Sequence, residues 1–218
     1  AEVIIVFAYT DKEKKHKGMS CFIVENGFSG FSVGKHENLM GMRATANTEI
    51  VMEDCIVPKD NLLGEENNGF KTAMKLLDVS RIDIGAQAVG IAQAAFEEAI
   101  KYSKERTQFG RKISEFQLIQ AMLADMATKI EAARLLVYQS ADMKDRGVAR
   151  FSLQSSIAKY YASTIAVDCA RMAMQILGGI GYTKDYSVER FYRDAKVLEI
   201  YEGTSEIQKI VIAKSLLK

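Results

Sequence analysis

From Phe70 onward, apolar side chains recur every three or four residues over most of the remaining chain, and this period constrains the fold more than any other feature. Phe70, Met74, Leu77, Ile84, Ala88, Ile91, Ala95, Ala99 and Tyr102 form one series, continuous only when Arg81 is counted between Leu77 and Ile84. Ile119, Met122, Met126, Ile130, Ala133 and Val137 mark a second helix over 115–146, and a third runs over 153–177. Each is about 25 to 35 residues, so roughly 40 to 50 Å long. Long amphipathic helices joined by short loops pack as an antiparallel bundle. Two shorter helices are expected near 187–197 and 205–217. Before Phe70 the texture is different. Residues 3–9, 19–24, 31–33 and 48–52 are β-branched and aromatic runs separated by turn-rich segments such as DKEKKHKG and GMRATAN. Pro58, the only proline, closes that region. The fold class expected is therefore α+β: a partial antiparallel β domain over 1–63, then an antiparallel helical bundle over 64–218. AEVIIVFAYT opens at once as a strand, with no methionine and no lead-in, which reads as the start of a fragment.

Composition narrows the function classes. Twenty-nine basic residues against 28 acidic ones leave a net charge of +1, which speaks against a nucleic-acid surface or an anionic membrane as partner. No apolar run approaches the roughly 20 residues of a membrane span, and no signal segment is visible. Cys21, Cys55 and Cys169 are too scattered for a disulfide framework or a metal site, and they fit a reducing interior compartment rather than secretion. Histidine occurs only as His16 and His36, both in the β part. A di-metal bundle of the Glu-x-x-His kind is thus excluded, and a serine or cysteine nucleophile would lack a helical histidine base. No metal is expected.

What remains are carboxylates, arginines and glycine turns. Arg81 occupies a core-facing slot, three residues after Asp78. The two form either an ion pair at the bundle edge or a hold for a polar ligand entering between helices. ERTQFGR, residues 105–111, places two guanidinium groups, a glutamine and Phe109 in one short connection. Such a set suits phosphate oxygens and a heterocycle, or simply complements the end of a helix. In QILGGIGYTKDY, three glycines within four residues end the third helix, where one would suffice. Close approach by a flat ligand or tight helix packing accounts for the others. Finally, Glu202 precedes Gly203 just ahead of Ser205-x-x-Gln208, which reads as a capping box opening the last helix. Shielding by Ile200 and Tyr201 would turn that carboxylate from a solvated side chain into a useful base.

GMRATANTEIVMEDCIVPKDNLLG, LDVSR, ERTQFGRKISEFQ, QILGGIGYTKDYSVERFYRDAK and EIYEGTSEIQ occur here in the order in which they occur in the acyl-CoA dehydrogenases. The chain resembles that family over nearly its whole length, and the short-chain, butyryl-CoA type most. The resemblance implies FAD-dependent α,β-dehydrogenation of a short acyl-CoA thioester. In it Glu202 removes the α-proton, the β-hydrogen leaves as hydride to the flavin, and Gly203 lies against the substrate. It also implies hydrogen bonds to the thioester carbonyl from the backbone N–H of the base and a ribityl hydroxyl, which stabilise enolate charge. Asp78 and Arg81 would contact the CoA portion. Thr204, Ser205 and Glu206 would touch FAD. Arg106, Gln117, Gln175, Gly178 and Gly179 would reach the FAD of a neighbouring subunit in a homotetramer, a dimer of dimers.

Some members of the family carry the base immediately before the arginine equivalent to Arg81. Here that residue is Ser80, so the carboxylate of YEGT is the one available. Electron-transfer flavoprotein is the implied electron acceptor, and the bacterial cytoplasm or mitochondrial matrix the implied compartment. Family members are nearly twice this length, with an amino-terminal helical domain and a complete middle β domain. Two alternatives belong beside this reading: an acyl-CoA oxidase-type relative, and a non-catalytic helical oligomerisation fragment.

Overall fold

The computed structural model describes residues 1–217, which fall into two compact units divided within the first long helix. The first unit comprises residues 1–39 and 43–77. Its main ribbon pairs β1 (Val3–Tyr9) with β2 (Met19–Glu25) antiparallel, in register from Val3 opposite Glu25 to Tyr9 opposite Met19. The charged connection is ordered by Asp11, whose carboxylate accepts from the backbone N–H of Glu13 and Lys14 and pairs with the Lys14 ammonium at 2.8 Å. Those contacts hold the Asp11 carboxyl below its usual range, the Lys14 side chain contributing most.

The far edge of β2 is partly covered. Leu63 N–H donates to the Cys21 carbonyl at 2.8 Å, and the Asn61 side chain to the Ile23 carbonyl at 2.8 Å. Ser20, Cys21 and Val24 are buried there. A second ribbon pairs β3 (Phe31–His36) with β4 (Thr48–Met52), with an irregularity between Val33 and His36. That irregularity lets β3 run three residues past the expected end, because a bulge restores pairing after the break.

The second unit is helical and includes the short segment 40–42. α1 (Gly69–Glu105) enters it at Asp78; α2 (Gln117–Asp145) and α3 (Ser152–Leu177) follow, then the shorter α4 (Val188–Lys196) and α5 (Ser205–Leu216). A two-residue hairpin, β5 (Thr107–Gln108) with β6 (Arg111–Lys112), joins α1 to α2. The core is built from small side chains. Ala88, Ala92, Ala95 and Ala99 of α1 and Ala158, Ala162, Ala166, Ala170 and Ala173 of α3 are fully buried. α2 adds Met126, Ile130, Ala133 and Val137, the stripe expected from its spacing. Small residues let helix axes approach closely. At Gly85 a Cβ would lie 2.9 Å from Val137 Cγ2 of α2.

α2 starts two residues later than expected, because residues 113–115 close a separate 3₁₀ turn in which Lys112 N–H donates to Glu115 Oε1. Phe70 and Met74 head the helical series but are exposed. They lie on the turns of α1 that belong to the first unit, where Phe70 meets the His16 ring edge-on at 5.1 Å. Residues 40–42 fold onto α4: Met42 N–H donates to Asp194 Oδ1 at 2.6 Å, and Arg193 Nη1 to the Met40 carbonyl at 2.9 Å. A Cβ at Gly41 would sit 2.4 Å from the Arg193 carbonyl oxygen, so only glycine allows this approach.

Candidate active site

α5 begins one residue earlier than a Ser205 cap would place it. Thr204 is the N-cap, its hydroxyl accepting from Ile207 N–H at 3.4 Å, and Ser205 is the first helical residue, with its Oγ buried and unpartnered. The expected Ser205–Gln208 capping box is therefore not formed. Gln208 is fully buried and turns back instead, its Nε2 donating to the Glu202 carbonyl at 3.1 Å and the Gly203 carbonyl at 2.9 Å. The chain before the cap is a left-handed turn, with φ +54° at Glu202 and +91° at Gly203. Glycine adopts such angles freely, whereas a glutamate there carries strain that its surroundings must offset. A Cβ at position 203 would also come within 2.7 Å of Gln208 Nε2.

The half-buried Glu202 side chain meets α1. Ser80 Oγ donates to Glu202 Oε2 at 2.6 Å, so the position that bears no carboxylate supplies a hydrogen bond to the one that does. Ile200 is not part of its cover: it is 53% exposed and lines a different cleft. Tyr201 donates to Gln87 Oε1 at 2.6 Å, and burial pushes its phenol pKa up.

Arg81, the next residue on α1, is 6% exposed. Its Nη1 donates to Asp78 Oδ1 at 2.9 Å and Ser156 Oγ at 3.4 Å, while the Ser152 hydroxyl of α3 donates to Asp78 Oδ2. Burial lowers the Arg81 pKa and the charges of Asp78 and Glu202 oppose that, but a guanidinium stays protonated regardless. Its Nε is buried with no partner. Lys159 of α3, fully buried, completes the group, with its Nζ donating to the Gly203 carbonyl at 2.7 Å. Two hydrogen-bonded groups thus stand side by side, Asp78 and Arg81 with Ser152 and Ser156, and Glu202 and Gly203 with Ser80, Lys159 and Gln208; adjacent Ser80 and Arg81 of α1 and the charge of Arg81 acting on Glu202 and Lys159 relate them.

The other candidates lie elsewhere. Arg106, Gly178 and Gly179 share a cleft of about 450 Å³ with Tyr102, Gln108 and Ile113. Gly178 has φ +67°, and a Cβ on Gly178 or Gly179 would meet nothing within 4 Å, so the groove beside them is open. Gln175 is exposed on the last turn of α3 and does not line that cleft. Gln117 lines a separate one of about 620 Å³ with Arg111, Glu115 and Phe116. Thr204, Ser205 and Glu206 line a third, about 330 Å³, with Tyr160, Lys196 and Lys209. The Glu206 carboxyl is held below its usual range by its own backbone N–H and by the Thr204 hydroxyl.

Asp78 also opens onto a cleft of about 550 Å³ with Arg150, Ser152 and Gln154. Phe109 is 92% exposed at the tip of the β5–β6 hairpin, with φ +52° ahead of Gly110 at +79°. Positive φ at both central residues is the geometry of a tight type I′ hairpin turn. Among the described residues no cluster of His, Cys, Asp or Glu could hold a metal ion, and no helix is long and apolar enough to cross a membrane.

Sequence reasoning missed Lys159 and Gln208. The signal for Lys159 was present: it stands on the buried stripe of α3 with Ser155, Ala162 and Ala166, the same kind of misplaced charge that singled out Arg81. Gln208 stands at the spacing of a cap partner, and spacing does not distinguish its buried side chain from an exposed one.

The sequence matches two family descriptions: "Acyl-CoA dehydrogenase, C-terminal domain" over residues 67–217 and "Acyl-CoA dehydrogenase, middle domain" over 1–55. It is 51% identical over 218 residues to the short-chain specific acyl-CoA dehydrogenase of Clostridium acetobutylicum, covering 100% of this chain and 57% of that protein. It is equally 51% identical over 214 residues to the caffeyl-CoA reductase-Etf complex subunit CarC of Acetobacterium woodii, covering 98% of this chain and 56% of the relative. The structure superposes on that of butyryl-CoA dehydrogenase from Megasphaera elsdenii with a TM-score of 0.98 at 48% identity, covering 100% of this chain and 57% of the other. The chain thus spans little more than half the length of these relatives.

Proposed function

Since the chain belongs to the acyl-CoA dehydrogenase family, we propose that the protein carrying it interconverts a short acyl-CoA thioester and its α,β-unsaturated form, with Glu202 as the base. The observation that carries this reading is the placement of the Glu202 carboxylate. It stands on a left-handed turn held by buried Lys159 and Gln208, is fixed by Ser80 at 2.6 Å, and feels the charge of buried Arg81. A carboxylate held by one hydroxyl keeps its second oxygen for another proton, as a general base requires. Asp78, with Arg81 paired to it, is proposed to meet the polar CoA portion, to which the cleft beside Asp78 is suited. Gly203 is proposed to lie against the acyl chain.

The residues present fit FAD. The open face of Gly178 and Gly179 beside the Arg106 guanidinium suits a flat, anionic group, and the buried hydroxyl of Ser205 beside Thr204 and Glu206 offers a further contact. When bound, FAD supplies the acceptor for the electron pair of the β-hydrogen. Gln117 and Gln175, exposed on the ends of α2 and α3, are proposed to reach FAD from a second subunit. The role left to the chain is to orient the thioester, take the α-proton onto a Glu202 oxygen, and keep water from the carbanionic carbon. A homotetramer and electron-transfer flavoprotein are the proposed partners, with a reducing interior as the compartment. The family matches support a domain division between residues 55 and 67, consistent with a boundary near 64.

A second reading is favoured by one comparison. The relative named a reductase is as similar as the one named a dehydrogenase, at 51% each. In the reductive direction Glu202 would deliver the α-proton instead of removing it. Steady-state assays of the flavin-loaded protein in both directions, with short saturated and unsaturated CoA esters, separate the readings. In either, Glu202→Gln should lower turnover by about 10²- to 10⁴-fold while leaving FAD content unchanged. Turnover surviving in that variant would remove Glu202 from the chemistry.

A further inference from the structure

We propose that Lys159 is the positioning residue of the site: its buried ammonium fixes the Gly203 carbonyl and so sets the backbone on which Glu202 stands. This rests on the reading of Glu202 as the base, but the geometry stands independently. Lys159 is fully buried on α3, a place where lysine is almost never found without a partner. Its Nζ lies 2.7 Å from the Gly203 carbonyl oxygen. Gln208 Nε2 donates to the same oxygen and to the Glu202 carbonyl, so the two carbonyls of the turn are held by two side chains from different helices. A peptide unit is planar, with its C=O and N–H pointing in opposite directions. Fixing both carbonyls therefore also fixes the N–H groups of Gly203 and Thr204, facing away from Gln208, and with them the direction in which the Glu202 side chain leaves the turn.

The turn needs such a clamp. Glu202 has φ +54°, where a non-glycine residue persists only when its surroundings over-determine it. Four charges act on the ammonium from the elements around it: Arg81 of α1, Glu199 ahead of the turn, Glu202 itself and Glu206 of α5. Burial, reinforced by Arg81, lowers the Lys159 pKa to about 8 against the pull of the three carboxylates. A hydrophobic residue would avoid that desolvation cost.

The test uses Lys159→Met, which keeps an unbranched chain of similar volume and removes the donor, and Lys159→Arg, which keeps donor and charge. Two readouts are taken on the FAD-loaded protein: amide hydrogen exchange over residues 199–206, and kcat and KM for a short acyl-CoA. The expected result for Lys159→Met is exchange at least about tenfold faster in that segment alone, kcat reduced by about 10- to 100-fold, and KM within a few-fold of the parent. Lys159→Arg should restore most of the protection and most of kcat. Unchanged exchange and unchanged kcat in Lys159→Met would overturn the proposal, as would faster exchange spread evenly over α1, α2 and α3, the mark of a purely structural residue. If Lys159→Met does not fold, Lys159→Gln is read by the same criteria, being polar but too short to reach. Glu202→Gln is run in parallel: activity retained there, with exchange over residues 199–206 still quickened in Lys159→Met, would sink the base assignment while leaving the clamp intact.

Discussion

At the scale of single residues, two buried groups give the protein a pH signature with opposite signs. Lys159 titrates near 8 in the folded chain against an ordinary 10.5, because burial disfavours its charge. Between those values the unfolded chain binds the proton that the folded chain has lost, so stability rises as the pH goes from about 8 to about 10.5. Cys169 behaves the other way. Burial pushes its thiol up from 9.0 to about 12, so its contribution is whole below pH 9 and is lost as the pH climbs through 12. Urea unfolding should therefore show stability increasing from pH 8 to 9 and the gain being offset above that. Lys159→Met should abolish the increase; a rise that survives in that variant would assign it to another group. Of these residues, Arg81 and Glu202 were legible because each violates a local pattern, a charge in an apolar slot and an acid beside a glycine turn. Lys159 violated the pattern of α3 equally, yet the sequence does not say which carbonyl a long flexible side chain will reach.

At the scale of elements, the end of α3 separates two uses of glycine. At Gly178 the backbone stands at φ +67° and ψ −144°, a region essentially closed to other residues. At Gly181 a Cβ would lie 2.8 Å from both Leu177 Cβ and the Met174 carbonyl oxygen of the same helix end. Gly179 has neither constraint, since its conformation is ordinary and its Cβ position open. Gly181→Ala should then cost about 1–3 kcal/mol of stability by overpacking, measured by thermal or urea unfolding. Gly179→Ala should cost little and act instead on FAD retention. A large stability loss at Gly179 would show that packing rather than a ligand accounts for it. The helices themselves were readable to within about two residues, because a 3.6-residue period sustained over many turns leaves little ambiguity. Their caps were not. Thr204, Ser205 and Gln208 are all competent capping residues, and the choice fell to tertiary contacts, with Gln208 drawn inward by the two carbonyls of the left-handed turn.

At the scale of the whole molecule, what matters is how much apolar surface the chain leaves uncovered. On α2, Leu135 is 60% and Tyr138 63% exposed, one turn apart on the same face. Exposed neighbours of this kind mark contact surfaces. Light scattering should give a multiple of the chain mass for the native protein and a smaller multiple for Leu135→Asp combined with Tyr138→Asp; an unchanged mass would place the assembly contact elsewhere. Nothing in a periodic pattern tells a face buried by its own chain from one buried by a copy, so the homotetramer expected from the family resemblance could not be read from the helical spacing itself. The ribbon of β1 and β2 poses a related question. The outer margin of β2 is partly occupied by residues 61–63, whereas among the described residues β1 pairs only with β2. Val3 and Ile5 are 54% and 46% exposed along it. A bare strand margin with oily side chains recruits its like. Preparations of this chain by itself should therefore turn cloudy with concentration, through ribbons adding side by side, and a single lysine introduced at Ile5 should keep them clear.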